Sequence, residues 1–294
     1  MFEKFLRNAV SKLFWGFFRH VLSDKQYAKV RYWLETGRTL HLKNPKLFTE
    51  KIQYIKLFEH SDIRKKFANR YAVREFVTQK IGRSHLIPLI GNYNKMTPDI
   101  WETLPNQFVL KANHGSEMIE IIRDKQSTNY EQIRSVTHKW KNTSYYKFGR
   151  EWAYKEVPRT IVAEELILDS ENSIPKDFKF FCFDGVVEII QIDFDRFEKH
   201  RQNLFDRNFN PIDGTLLSPP YSGPVAKPEL LDEAVNIAEV LAEGINFIRV
   251  DLYLLKNKVY FGELTNYPLN GFVPFKPMSL EQKFGSLIKL QKSQ

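Results

Sequence analysis

The sequence predicts an α+β fold in which a helical N-terminal region precedes antiparallel strands. Residues 247–268 contain two runs rich in β-branched and aromatic residues, separated by the polar break Lys256-Asn257-Lys258, which is a hairpin signal. Residues 177–192 contain a second such pair, joined at Asp184-Gly185. Between residues 24 and 82 the apolar residues recur instead with helical spacing, and Gly82 provides a helix stop.

Residues 2–22 predict an amphipathic helix, because apolar residues recur every three or four positions. Basic residues interrupt every apolar run, which argues against a transmembrane span, and there is no cleavage site of signal-peptide type. A basic and aromatic helix of this kind either lies in a membrane interface or packs on its own domain. The sequence leaves both open.

The helices that follow carry five closely spaced cations. We expect these side chains to form a solvated helix face, with a basic groove for an acidic polymer as the alternative. They are Arg64, Lys65, Lys66, Arg70 and Arg74.

Composition limits the choice of partners. The 294 residues suffice for one large domain or two moderate ones. The single cysteine, Cys182, excludes an internal disulfide and a cysteine metal cluster. A net charge of +9 favours anionic partners, namely nucleic acid, anionic lipid or an acidic polymer such as a uronic-acid polysaccharide. No recognition motif supports nucleic acid.

A predicted buried strand, residues 107–111, ends in Lys111 and runs directly into a turn of small residues, 112–116. A strand that leads into such a turn can offer backbone N–H groups to phosphate, with the lysine as a point charge. The turn has one glycine and no Gly-Lys-Ser/Thr, so it is not a Walker motif. For His114 the alternative is a turn residue with satisfied hydrogen bonds.

The hairpin at residues 247–268 brings two acids together. If Lys256-Asn257-Lys258 is the loop, counting outward places Asp251 opposite Glu263 and Arg249 opposite Thr265. Opposed carboxylates repel each other unless they are neutralised, and Mg²⁺ does this together with nucleotide phosphates. Two alternatives remain: Arg249 offsets both acids in a half-exposed hairpin, or a two-residue loop changes the register. The other face of the first strand is apolar and predicts core.

Seven phrases occur in a specific order: NPKLFTEKIQYIKL (44–57), LPNQFVLKANHGS (104–116), GREWAYK (149–155), IVAEELI (161–167), DFKFFCFDG (177–185), RVDLY (249–253) and VYFGELTNYP (259–268). Together they resemble the ATP-grasp superfamily, and within it the TupA-like branch associated with teichuronopeptide and capsular polysaccharide synthesis. The resemblance covers roughly residues 40 to 290. Several phrases in the right order carry more weight than any one of them.

The resemblance implies an ATP-grasp fold, in which two α+β subdomains clasp ATP behind a helical N-terminal region. We expect an amphipathic helical segment at residues 1–40 and a mostly helical region at 41–105. The ATP-grasp domain would be 106–294, divided into subdomains 106–165 and 166–294.

The resemblance also implies a nucleotide site. Lys111 would hold the phosphates under a loop made of Asn113, His114, Gly115 and Ser116. Adenine would be read by a hinge of Glu164, Glu165, Leu166 and Ile167. Asp177 would bind ribose, and Lys179 would reach phosphate.

The implied magnesium ligands are Asp251 and Glu263, and Arg249 would stabilise the γ-phosphoryl group and the oxyanion of the tetrahedral intermediate. The sequence departs from the family pattern at two places. An asparagine usually stands two residues after the metal-bridging glutamate. Here that place is Thr265, with Asn266 one further on, so either would be the third ligand. Glu117 and Met118 also replace expected glycines.

The implied function is carboxylate–amine ligation with ATP and Mg²⁺, in which an amine attacks an acyl phosphate to form an amide. The branch points to a uronic-acid carboxyl on a surface polysaccharide or its lipid-linked precursor, with an amino acid as the amine. Arg196 and Arg201 would contact the acidic substrate. We expect a cytoplasmic protein, held by residues 2–22 at the inner face of a bacterial membrane.

Two other classes remain open. The first is a glycosyltransferase of the same pathway, for which Asp193-Phe194-Asp195 matches the Asp-x-Asp metal motif. The second is a non-catalytic polysaccharide- or membrane-binding protein.

Overall fold

The computed structural model describes residue 7, residues 10–194 and residues 200–291. Asp195 and Arg196, for which the sequence predicts metal or substrate contacts, lie outside these residues. The helices are α1 (Asp24–Thr36), α2 (Phe48–Phe58), α3 (Asp62–Ala68), α4 (Val73–Ile81), α5 (Pro98–Thr103), α6 (Tyr130–Asn142), α7 (Tyr146–Gly149), α8 (Leu231–Ala242) and α9 (Met278–Leu287). The strands are β1 (Leu89–Tyr93), β2 (Phe108–Ala112), β3 (Ile119–Ile122), β4 (Ile161–Glu165), β5 (Asp177–Phe183), β6 (Val186–Phe194), β7 (Arg201–Phe205), β8 (Pro211–Ile212), β9 (Phe247–Leu255) and β10 (Lys258–Thr265).

The strands form two antiparallel sheets. A four-stranded sheet has the order β1-β4-β2-β3, and a six-stranded sheet has the order β10-β9-β5-β6-β7-β8. The predicted hairpin of β5 and β6 turns at Asp184 and Gly185, which both have positive φ. Strand β1 joins the four-stranded sheet although it lies in the region 41–105. The predicted domain limits stay a prediction.

In the hairpin of β9 and β10, Asp251 pairs with Glu263 and Arg249 with Thr265 as predicted, but the loop and the register differ from the prediction. Its loop has two residues, not three, because Lys258 already pairs with Leu255. That prediction of loop length is wrong. An irregularity at Gly262 then adds one residue to β10, so that Glu263 lies opposite Asp251. A β-bulge of this kind shifts the register by one residue, and here it returns both acids to one face.

The two faces of β9 have different roles. Its even-numbered residues pack into a core with α8 and α4, as the sequence predicts, and Ile248, Val250 and Leu252 are fully buried there. On the other face, Phe247 joins an aromatic cluster with Phe48 of α2, and α9 completes this cluster. Farther along the same face the residues become charged.

The cations of α3 and α4 are not a common solvated face. Arg64 is 3% exposed, and its guanidinium donates to the backbone oxygen of Phe247 and to the side chains of Asn246 and Asn266. The sequence interpretation of Arg64 is therefore wrong, because α3 packs against β10 and turns this residue inward. Lys66, in contrast, is half-buried and contacts the exposed Glu75.

The described part of the N-terminal segment is helical from residue 10 to residue 21, with a π-helical turn at Phe14–Phe18. Phe14 is fully buried against α1, so the segment docks on its own domain. Other apolar side chains of the segment remain exposed: Leu13, Trp15, Phe17, Phe18 and Val21. Among the described residues, no helix is both long enough and apolar enough to cross a membrane.

Gly262→Ala should lower the free energy of unfolding by about 1–3 kcal/mol, the usual cost of extra atoms in a packed site. A Cβ atom there would lie 2.9 Å from the backbone oxygen of Asp251 and 3.2 Å from the ring of Tyr253. Urea unfolding followed by circular dichroism measures the loss. Gly16→Ala is the control, because nothing lies within 4 Å of the Cβ atom that this substitution adds. Equal free energies of unfolding in the two variants would contradict close packing at the Gly262 bulge.

Candidate active site

The β9–β10 hairpin places an arginine between two acids. Arg249 holds Asp251 through two contacts, Nε to Oδ1 at 2.7 Å and Nη2 to Oδ2 at 2.6 Å. The same Nη2 lies 3.3 Å from Oε1 of Glu263 and 3.0 Å from Oγ1 of Thr265. These four side chains share one face because their positions alternate along paired strands.

The two acids differ in their proton affinity. Burial raises the pKa of Asp251 to about 6, although Arg249 and Lys179 oppose the shift. For Glu263, burial also acts upward, but Arg70 and Arg249 outweigh it and lower the pKa to about 2. Glu263 is therefore fully ionised near neutral pH, and Asp251 is mostly ionised.

Strand β5 adds a second charged cluster beside the first. Lys179 lies opposite Asp251 in the sheet, and its Nζ is 2.8 Å from Asp177 and 2.5 Å from Asp193. Despite burial, this lysine and Gln191 lower the pKa of Asp193 to about 2. The predicted common face of Asp177 and Lys179 is thus observed. Asp193 occupies a strand and binds Lys179, whereas the Asp-x-Asp interpretation places it on a loop.

The four-stranded sheet contributes a third cluster. Lys111 on β2 contacts Glu164 on β4 at 2.7 Å, and Arg74 of α4 contacts the other oxygen of Glu164 at 2.7 Å. Lys111 and Arg74 lower the pKa of Glu164 despite its burial. The carboxylate of Glu164 is therefore occupied by these two cations.

Arg70, which the sequence analysis assigned to a solvated face, joins the two sheets. Its Nη1 lies 3.1 Å from Glu263, and its Nη2 donates to the backbone oxygen of Gly115 at 3.1 Å. A single side chain thus ties β10 to the loop after β2. The helical spacing of Arg70 and Arg74 in a basic segment was the only signal, and it could not reveal partners so distant in the sequence.

The loop after β2 is held by its own polar residues. The side chain of Asn113 donates to the oxygen of Pro158 and accepts from the N–H of Tyr71. His114 is buried with Nε2 close to the oxygens of Trp140 and Thr143. Its buried Nδ1 has no hydrogen-bond partner among the described residues, so the alternative of a turn residue with satisfied hydrogen bonds fits one of the two ring nitrogens. Both side chains support the loop and do not point toward Glu263.

The tip of the loop is closely packed on one side and open on the other. A Cβ on Gly115 would lie 2.8 Å from the ring of Tyr145, so only glycine fits at this approach. Ser116 is half-buried, and Glu117 is exposed with a φ of 62°. Glu117 thus keeps the left-handed backbone that glycine adopts easily, while its charge faces outward.

The remaining predicted residues lie at the margins. Glu165 ends β4 and is exposed, and the half-buried Leu166 and Ile167 follow it. Arg201 begins β7, opposite Phe194 at the end of β6. These placements are compatible with an adenine hinge and with a substrate contact, and both roles stay predictions.

Thr265 and Asn266 point to opposite sides. The hydroxyl of Thr265 donates to Glu263 at 3.0 Å. The amide of Asn266 is buried, donating to the backbone oxygen of Arg64 at 2.9 Å and accepting from its guanidinium. Of the two candidates for a third metal ligand, only Thr265 faces the acids.

The oxygen atoms of this face suit magnesium. Mg²⁺ binds one or two carboxylates and completes its shell with water and phosphate oxygens, and Asp251, Glu263 and Thr265 supply two carboxylates and a hydroxyl. Among the described residues there is no group of three or more His, Cys, Asp or Glu side chains that would hold a metal alone.

Several solved structures have similar folds. D-alanine–D-alanine ligase from Bacillus anthracis complexed with ATP is 14% identical, covering 68% of this chain and 54% of its own, with a TM-score of 0.39. An ADP complex of purK, N5-carboxyaminoimidazole ribonucleotide synthetase, is 12% identical, covering 84% and 58%, with a TM-score of 0.46. The ligase PsnB with Mg and ADP is 11% identical, covering 70% and 52%, with a TM-score of 0.39. No curated protein matches the sequence.

This is an α+β protein of the ATP-grasp class. It has a helical N-terminal region, two antiparallel sheets and a polar face on the six-stranded sheet. The sequence matches the TupA-like ATPgrasp family over residues 50–289. The chain belongs to this family and thus to the ATP-grasp superfamily, as the resemblance implied. It spans about half to two thirds of the length of the solved relatives, from 54% to 66% for the two D-alanine–D-alanine ligases from Bacillus anthracis.

Asp193→Asn should lower the free energy of unfolding at pH 7 by about 2 kcal/mol, since each pKa unit corresponds to about 1.4 kcal/mol. The folded pKa of about 2 lies below the ordinary 3.8, so the contribution is present above pH 4 and is lost as the pH falls toward 2. Denaturant midpoints at pH 7 and at about pH 2.5 test this, because the deficit should be present at pH 7 and largely absent at the lower pH. Asp232→Asn is the control, since its carboxylate is 84% exposed. A similar loss in both variants would show that Asp193 is not held in this way.

Proposed function

We propose that this protein is an ATP-dependent carboxylate–amine ligase that amidates a uronic-acid carboxyl of a surface polysaccharide or its precursor with an amino acid. The observation that carries the proposal is the face formed by Asp251, Glu263, Thr265 and Arg249, joined by Arg70 to the loop after β2. Oxygen ligands, cations and a backbone loop are the components that phosphoryl transfer requires.

The nucleotide would lie between the two sheets. Lys111 and Lys179 are the lysines that would contact phosphate, and each now contacts an acid. Asp251, Glu263 and Thr265 would hold Mg²⁺. When bound, Mg-ATP supplies the phosphoryl group that activates the carboxylate.

The side chains of the chain itself would position the reactants. Arg249 is already desolvated and oriented by Asp251, so it offers a fixed guanidinium to charge that develops on a phosphoryl or acyl oxygen. In the overall reaction the carboxylate oxygen bonds to phosphorus and ADP leaves. The amine then bonds to the acyl carbon, phosphate leaves, and the amine loses a proton.

The acidic acceptor is supported by charge. The chain carries a net charge of +9, which raises the local concentration of anionic ligands. Arg201, at the start of β7, would contact the acceptor, and so would Arg196, outside the described residues.

Asp251→Asn and Glu263→Gln should each reduce ATP-dependent product formation at least 100-fold, because each removes a magnesium ligand while preserving side-chain size. ADP release measures the loss across a panel of acidic sugars and amino acids. Asp232→Asn and Glu233→Gln, on the exposed side of α8, are controls and should retain full activity. Normal turnover in either site variant would contradict the metal assignment. Mg-ATP binding without ADP release by the unaltered protein would favour a non-catalytic binding protein.

The exposed side of residues 10–21 supports attachment to the inner face of a membrane. Leu13 and Phe17 are 59% and 63% exposed, and Arg19 lies among these apolar residues. A helix of this composition binds an interface through apolar area and through attraction to anionic lipid.

Changing Leu13 and Phe17 together to serine should reduce binding to vesicles containing phosphatidylglycerol at least tenfold, because burial of each large apolar side chain is worth about 1.5–3 kcal/mol. Vesicle co-sedimentation measures the affinity. The matched control changes Phe148 and Leu217, which are 59% and 54% exposed, to serine. Equal binding by both double variants would contradict a membrane role for this segment.

A further inference from the structure

A large basic groove lies on the outer side of α2, away from the proposed nucleotide site. Its volume is about 1340 Å³, which exceeds the roughly 300–1,000 Å³ of a pocket for one small molecule. None of the side chains that form the candidate active site lines it. We call this surface the lysine groove and define it by six basic residues: Lys25, Lys29, His41, Lys43, Lys46 and Lys51.

The cations of the groove come from three parts of the chain: α1, the extended segment before α2, and α2 itself. Lys25 and Lys29 are one helical turn apart on the exposed side of α1. In the extended segment before α2, Leu40 and Leu42 are buried, so the alternate residues His41 and Lys43 face outward. The convergence is thus a consequence of how each element buries its apolar side.

The positive charge of the groove is not neutralised by its one acid. Glu50, at the first turn of α2, is 3% exposed, and its carboxylate accepts from the backbone N–H groups of His41, Lys46 and Leu47. It therefore acts as a cap within the wall. Within the described part of the chain, Lys25, Lys29, Lys43 and Lys46 form no ion pair with a carboxylate.

An aromatic pair lies at one end of the groove. Tyr54 and Phe58 are one turn apart on α2, with ring centroids 4.9 Å apart, and Phe58 is 40% exposed. Both also line a smaller cavity of about 300 Å³ that continues beyond them. The surface therefore combines amine cations with flat apolar area, which suits a chain of rings that carry negative charges.

We propose that the lysine groove binds an acidic glycan, a chain of sugar rings that carry carboxylates. The ammonium groups would contact the carboxylates, and the aromatic pair would pack against sugar faces. The lysines of the groove are compact point charges on flexible stems, so they can follow carboxylates spaced along a chain of sugars. The idea that this glycan is the acceptor of the ligase rests on the proposed function. The idea that the groove binds an acidic glycan does not depend on it.

The test measures binding of an oligogalacturonate of about ten sugars to the full chain by isothermal titration calorimetry, without nucleotide. The groove variant carries Lys25→Glu, Lys29→Glu and Lys43→Glu. The matched control carries Lys139→Glu, Lys256→Glu and Lys276→Glu, which change the same total charge at exposed lysines elsewhere. We expect affinity to fall at least tenfold in the groove variant and less than twofold in the control. If charge reversal prevents folding, the same sites changed to glutamine replace it, with a smaller expected loss of about threefold.

Several outcomes would overturn the proposal. Equal loss in the two triple variants would indicate a general effect of net charge. Tighter groove-dependent binding of a single-stranded oligonucleotide of the same charge would indicate nucleic acid. Groove-dependent binding of anionic vesicles, with no binding of the glycan, would indicate a lipid surface.

The same variants separate this proposal from the proposed ligase activity. Glycan binding that depends on the groove, with no ADP release, contradicts the ligase alone. Turnover on an acidic glycan that is unchanged in the groove variant contradicts the groove alone. Mg-ATP binding should be equal in both triple variants, because their lysines lie outside the nucleotide site.

Discussion

The structure depends on mutual compensation among charges buried on one face of the six-stranded sheet. On β5 and β9 this face includes an aromatic cluster with Phe181 and Phe247, and two residues away, at Lys179 on β5 and Arg249 on β9, it becomes charged. A buried charge without a partner costs far more than one exposed to water. Each acid of this face is accordingly held by at least one cation, and each cation by at least one acid. Together with the Glu164 cluster of the four-stranded sheet, the charged network contains five acids, Asp177, Asp193, Asp251, Glu263 and Glu164, and five cations, Lys179, Arg249, Arg70, Lys111 and Arg74.

This balance has a consequence for ligand binding. A triphosphate adds about four negative charges, and the network of described residues holds no unmatched cation to receive them. In the proposed ligase the compensating charge would therefore arrive with the nucleotide, as divalent metal ions. Phosphate would then displace Glu164 from Lys111, while the metal would compete with Arg249 for Asp251. Binding of Mg-ATP would thus be an exchange of partners within these ion pairs.

Local sequence patterns were sufficient to predict much of this arrangement. Strand alternation and hairpin signals located β5, β6, β9 and β10 and paired Asp251 with Glu263. These patterns did not predict the loop length or the bulge, because a two-residue loop combined with a bulge at Gly262 gives the same pairing as a three-residue loop. Periodicity also identified α3 and α4 as helices but not the environment of Arg64 and Arg70. Which side of a helix is buried near a sheet depends on residues far away in the sequence, here Phe247 and Gly115.

The departure at Thr265 and Asn266 has a physical explanation in the period of a strand. Residues two apart share a face, so Thr265 joins Glu263 at the site and Asn266 must face the other side. There its amide bonds to Arg64, which in turn holds β9 through the oxygen of Phe247. An amide that the family pattern places at the metal is here one residue farther on, where it anchors a helix to the sheet. Moving Asn266 to the metal would leave the buried guanidinium of Arg64 without one of its acceptors. Of these two side chains, Thr265 is therefore the one that could join the two acids as a metal ligand without breaking the attachment of the hairpin to α3.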